Sequence, residues 1–101
     1  MDEEKRKALS AAMDRMSRSY RANLPGKADE LAIAAERWRD GEADAQEQLI
    51  DLVHRMVSAG SFGLSALSER ASIIQDRLIA GHGQYDELVE FIAYIRGEAT
   101  G

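Results

Sequence analysis

Residues 49–64, LIDLVHRMVSAGSFGL, gather most of the side chains in this chain that have more than a structural use. At their centre is His54. An exposed imidazole is largely neutral near pH 7, so a ring nitrogen can attack a phosphoryl group without a separate base. On a helix, its neighbours on the same face stand three or four residues away. That selects Ile50, Asp51, Val57 and Ser58, with Ser61 a turn further on. A phosphorylated imidazole needs space, hydrogen-bond donors and access for a second molecule. Ser58 and Ser61 are small and carry hydroxyl donors, and Arg55 brings positive charge next to the site. Asp51 is a candidate acceptor for the other ring nitrogen, as a carboxylate fixes the tautomer of a catalytic histidine.

The apolar pattern orients this cluster. A core stripe of Leu49, Val53, Met56 and Gly60 turns His54 toward solvent and leaves Ile50 and Val57 beside it. Apolar residues grouped round a nucleophile read as a docking patch for a partner, whereas a slightly rotated helix would make them the edge of a wider core stripe. The second histidine, His82, lies between two glycines and reads as a solvated loop residue. With no cysteine there is no disulfide framework, thiol nucleophile or cysteine metal site.

The elements that must position His54 are helical. The chain has 101 residues, one proline, and many Ala, Leu, Glu and Arg, which lose little rotamer freedom in a helix. The length suits one domain. A net charge of -5 argues against a nucleic-acid binder, and no apolar run is long enough to cross a bilayer. The start MDEEKRKALSAAM is too charged for a signal peptide, so the expectation is a cytoplasmic protein with neither a nucleic-acid nor a membrane partner.

Five helices follow from the periodicity. The first, from Glu3 to about Leu24, sets Leu9, Met13, Met16, Tyr20 and Leu24 on one face. Asn23-Leu24-Pro25-Gly26 predicts a break or kink. The second helix, Pro25 to Arg39, carries Ala28, Leu31, Ala35 and Trp38. Asp44 and Glu47 suggest a capping box at the start of the third, which ends near Ala59 before two glycines. The fourth, Leu64 to Ala80, presents Leu67, Ala71, Ile74 and Leu78. The fifth, Gln84 to Arg96, presents Tyr85, Leu88, Ile92 and Ile95 and leaves residues 98–101 as a frayed tail. Short connections predict an all-α, antiparallel up-down four-helix bundle over about 25–97. An additional N-terminal helix, 1–22, packs on it, extends the second helix, or pairs with another copy.

At this point a family resemblance appears. Val53-His54-Arg55-Met56, followed by Gly60-Ser61-Phe62-Gly63-Leu64 and a helix containing Leu67, resembles the signature of histidine phosphotransfer (HPt) domains. A looser likeness runs from about Tyr20 to Arg96. The resemblance implies an antiparallel four-helix bundle, without autonomous enzymatic activity, whose histidine accepts a phosphoryl group from a receiver-domain aspartate and passes it to another receiver. By it, His54 is the phosphorylation site, and Phe62, Gly63, Leu64 and Leu67 are structural. The partners implied are receiver domains of response regulators or hybrid histidine kinases. This chain would hold no cofactor, since the magnesium belongs to the receiver. Two positions depart from the family pattern. Val57 stands where the family has a lysine, with Ser58 at the following glycine, and the histidine-to-GSFG distance is one residue shorter. These departures keep two alternatives in view: a bundle that docks receivers without relaying phosphate, and a helical dimerisation module built on the first helix. Arg55, Lys27 and Arg77 are candidates to steer an acidic partner.

Overall fold

The lone proline sits where a helix tolerates one. Pro25 occupies the first turn of a helix, where its missing N–H has no intrahelical partner to lose. In the computed structural model, which describes residues 2–100, the chain passes through this point almost uninterrupted. Helix α1 (Asp2–Ala22) and helix α2 (Leu24–Arg39) are separated by Asn23 alone. Asn23 keeps right-handed helical dihedrals, its N–H donates to the Ser19 and Tyr20 carbonyls, and its own carbonyl accepts from Lys27. The expected break is present but only one residue wide, at Asn23. Residues 2–39 at a rise of about 1.5 Å each would span about 57 Å, and the longest dimension of the molecule is 57 Å.

After the turn at residues 40–44 come α3 (Ala45–Val57), a 3-10 turn over Ser58–Phe62, α4 (Ser65–Ile79) and α5 (Tyr85–Thr100). Four of the helices pair in a closed ring, α2 with α3, α3 with α4, α4 with α5 and α5 with α2. The fold is an all-α four-helix bundle preceded by one extra helix. Its core combines Leu24, Leu31 and Ala35 of α2 with Leu49, Val53 and Met56 of α3. Leu67, Ala71 and Leu78 of α4 and Leu88, Phe91 and Ile95 of α5 complete it. No polar or charged residue is buried among those described. Each fully buried Leu or Ile contributes about 1.5–3 kcal/mol.

Three local expectations are corrected. Asp44 does not build a capping box: its φ is +67°, and its side chain makes no cap hydrogen bond. Aspartate tolerates that left-handed conformation, and the chain uses it to turn into α3. The third helix gives way to 3-10 geometry at Ser58, before Ala59. The Leu64 N–H then reaches back to the Ala59 carbonyl at 3.1 Å, with Gly63 at φ +82°. At the other end, α5 continues to Thr100 through the segment read as frayed, because Arg21 of α1 donates to the Glu98 carbonyl at 3.0 Å. Met1 and Gly101, at the ends of the expected 1–101 domain, lie outside the described residues.

Leu49 is fully buried in the bundle core, so Leu49→Ala should cost about 2–5 kcal/mol of unfolding free energy. Gly63→Ala should cost about 1 kcal/mol, from the strained φ. Urea denaturation followed by circular dichroism checks both.

Candidate functional site

Three contacts between α3 and α4 set the register in which His54 is presented. Gln46 donates its amide to the Leu78 carbonyl at 3.1 Å, and Ser68 of α4 donates its hydroxyl to the Val57 carbonyl at 2.5 Å. Between them, Nδ1 of His54 meets Oε1 of Gln75 at 3.2 Å. The turn below allows this approach. A Cβ on Gly60 would come within 3.2 Å of Ser68 Oγ, so a glycine there lets α4 lie close against the end of α3.

His54 is exposed on the outer face of the bundle, as its place opposite the Leu49, Val53 and Met56 stripe requires. The Gln75 carbonyl oxygen can only accept, so Nδ1 carries the ring proton in this contact. In the neutral ring the lone pair is then on Nε2, which makes no hydrogen bond among the described residues. That is the tautomer of a nucleophilic imidazole. Gln75 escapes sequence reasoning because it lies on a different helix. Only the α3–α4 register brings it to the histidine.

The residue expected in that role is engaged elsewhere. Asp51 accepts from Arg55 at 2.8 Å across one helical turn and makes no hydrogen bond to the ring. Both side chains of this pair are exposed, so it contributes a few tenths of a kcal/mol. Its main effect is to neutralise the carboxylate nearest His54. Ser58 turns back along its own helix and donates to the Arg55 carbonyl at 2.7 Å. Ser61 is exposed on the 3-10 turn. Ile50 and Val57 are half-buried and packed against the core, each contributing to the core edge and to the surface at once. Ile79, 60% exposed, stands one turn beyond Gln75 on α4 and extends the apolar surface on that side.

An open groove of about 560 Å³ runs beside the histidine. It is lined by Asp44, Glu47, Gln48, Ile50, Asp51, His54 and Gln75, with carboxylates on its α3 side. Lys27 and Arg55 line a second, smaller groove with Leu52 and Met56, so two of the three cations considered for steering lie together. Arg77 does not join them. It pairs with Glu87 at 2.7 Å and donates to the His82 carbonyl, at the α4–α5 turn. Among the described residues no cluster of three or more His, Asp or Glu side chains is arranged to hold a metal ion.

The far side of the 3-10 turn is clamped by α1. Tyr20 stacks on Phe62 with ring centroids 4.8 Å apart, and Ser17 donates to the Phe62 carbonyl at 2.7 Å. Burial pushes the Tyr20 hydroxyl above its usual value, partly offset by the Ser58 hydroxyl.

Comparison with protein-family models, with curated proteins and with solved structures finds no match to the chain. No helix in the described residues is long and apolar enough to cross a membrane.

Two measurements probe this geometry. Long-range proton–nitrogen NMR of the imidazole should show the Nδ1–H tautomer of His54 predominating, and Gln75→Leu should shift the population toward the other tautomer. A raised folded-state pKa means that Tyr20 contributes stability below the ordinary tyrosine value of 10.0 and loses it as pH rises further. The stability difference between wild type and Tyr20→Phe should therefore shrink between pH 9 and 11 in urea titrations.

Proposed function

We propose that this protein is a phosphorelay intermediate of the histidine phosphotransfer type, with His54 as the phosphoryl carrier. One observation carries the reading: an exposed histidine on the outer face of a four-helix bundle, with Nδ1 held by Gln75 and Nε2 open to solvent. A phosphorylated receiver domain brings its aspartyl phosphate and its magnesium over the groove. Nε2 attacks phosphorus in line, the N–P bond forms as the aspartyl O–P bond breaks, and the carboxylate leaves with the electron pair. The ring proton stays on Nδ1, where Gln75 stabilises the positive charge that develops on the imidazole. The reverse step delivers the phosphoryl group to a second receiver. Phosphoryl transfer draws most of its acceleration from positioning and charge neutralisation, and the receiver supplies the metal, so no catalytic base is required of this chain. Transfer of this kind between soluble receivers places the protein in the cytoplasm.

The charge balance beside His54 favours a second reading. Val57 brings no cation where the resembled family has a lysine, and the adjoining groove carries Asp44, Glu47 and Asp51. A bundle of this kind could dock receivers through Ile50, Val57 and Ile79 and hold them without relaying phosphate.

Incubation with receivers loaded with labelled phosphate separates the two. The relay reading requires an acid-labile, base-stable label on the wild type and none on His54→Gln. Absence of label from every receiver, with binding retained, would leave the docking role alone. Val57→Lys should slow hydrolysis of the phosphohistidine severalfold by adding a neutralising cation, as measured by loss of label over time.

A further inference from the structure

Helix α1 is joined to the bundle by its last turns, through Ser17, Tyr20 and Arg21, and two of these three meet the 3-10 turn that follows α3. A 3-10 run of five residues, Ser58–Phe62, is longer than such geometry usually sustains, because its hydrogen bonds are poorly aligned. It therefore needs support from outside. Of the chain's aromatic side chains, Phe62 alone is neither in the bundle core nor packed against it. Its cover comes from α1. The Tyr20 ring stacks on Phe62 with centroids 4.8 Å apart, and the Ser17 hydroxyl donates to the Phe62 carbonyl at 2.7 Å. Tyr20 also reaches back to the end of α3, where its hydroxyl donates to Met56 Sδ at 3.9 Å. Two residues of α1, three positions apart, thus grip the turn on both sides.

What the turn holds in place reaches His54. Ser68 fits against Gly60 and donates to the Val57 carbonyl, and Gln75 stands seven residues beyond Ser68, two turns along the same face of α4. Were the five residues to relax from about 120° per residue to the 100° of an α-helix, all that follows would rotate by about 100° relative to α3. Gln75 would then leave the imidazole. We propose that Ser17 and Tyr20 are positioning residues for His54: by gripping the 3-10 turn they hold α4 in the register in which Gln75 reaches Nδ1. Neither makes a hydrogen bond to the ring itself. Lifting α1 off the turn therefore changes which nitrogen of a histidine on another helix carries the proton. The proposal deepens the relay reading by naming what governs its histidine, yet its direct readout, the tautomer, requires no receiver.

Long-range proton–nitrogen NMR of the full chain tests this. Ser17→Ala combined with Tyr20→Ala should lower the ratio of Nδ1–H to Nε2–H in neutral His54 by about fivefold, the worth of one neutral hydrogen bond, with the helical spectrum retained. His82, at the α4–α5 turn, is the internal reference and should not change. Ser17→Ala alone, which removes only a hydroxyl, covers the case in which the double variant does not fold. Its ratio should fall by about twofold, and Ser17→Thr, which keeps the hydroxyl, should restore it. Two controls separate positioning from lost stability. Ile92→Ala, on the α2–α5 side of the bundle, should destabilise the fold and leave the ratio alone. In a Gln75→Leu background the α1 substitutions should have no further effect, since the contact they support is already gone. A ratio unchanged in the folded variants would overturn the proposal, as would an equal fall in Ile92→Ala or an undiminished effect beside Gln75→Leu. Labelling of His54 by phosphorylated receivers is scored separately, so failure of the relay and failure of this proposal are told apart.

Discussion

The presentation of His54 depends on the close approach of α4 to α3 across the 3-10 turn. At the turn a Cβ on residue 60 would press against the Ser68 side chain at 3.2–3.3 Å, closer than ordinary van der Waals contact. Gly60 removes a Cβ from the contact with Ser68, Gly63 accepts the left-handed dihedral that reverses the chain, and the Ser68 hydroxyl caps the Val57 carbonyl left open where α3 tightens. With these in place, three side-chain contacts fix one register between the helices. Gln46 meets Leu78 and Gln75 meets His54 because all three contacts are rungs of one ladder. A histidine on the outer face is common; one whose ring is held at Nδ1 by an uncharged acceptor from the next helix has the tautomer of its neutral form chosen for it.

An uncharged acceptor differs from a carboxylate in kind. An aspartate on Nδ1 would also fix the tautomer, but it would favour the protonated ring and add a negative charge beside it. Gln75 orients the ring without adding negative charge, and the aspartate that lies closest is neutralised by Arg55 at 2.8 Å. Asp44 and Glu47 remain in the groove beside the paired Asp51, and the smaller groove of Lys27 and Arg55 also holds Glu30.

Much of this was legible in the residue order, and what was not has definite causes. The spacing of Leu49, Val53 and Met56 locates the core face of α3 and therefore the exposure of His54, since a period of 3.6 residues leaves no other solution. The glycines at 60 and 63 mark the turn for the same reason of backbone chemistry. Asn23-Leu24-Pro25-Gly26 marks the boundary between α1 and α2, which is only one residue wide because Pro25 falls in a first turn, where its missing N–H has no intrahelical partner to lose. Asp44 misleads: its type suits a capping N-cap, but it sits in a left-handed conformation and its side chain makes no cap hydrogen bond. Asp51 against Gln75 is the instructive case. Sequence proximity points to the residue one turn away, and only tertiary register exposes the partner on another helix.

The near-continuity of α1 and α2 carries a consequence for how the two ends of the molecule communicate. With Asn23 held in helical geometry between them, the azimuth of every residue in α1 is tied to that of every core residue in α2. Twisting the projecting end about its axis is resisted by the packing of Leu24, Ala28 and Leu31 inside the bundle. Helix α1 therefore behaves less like a tether than like a shaft keyed to the core, and whatever grips its outer end also fixes the direction in which the opposite end faces.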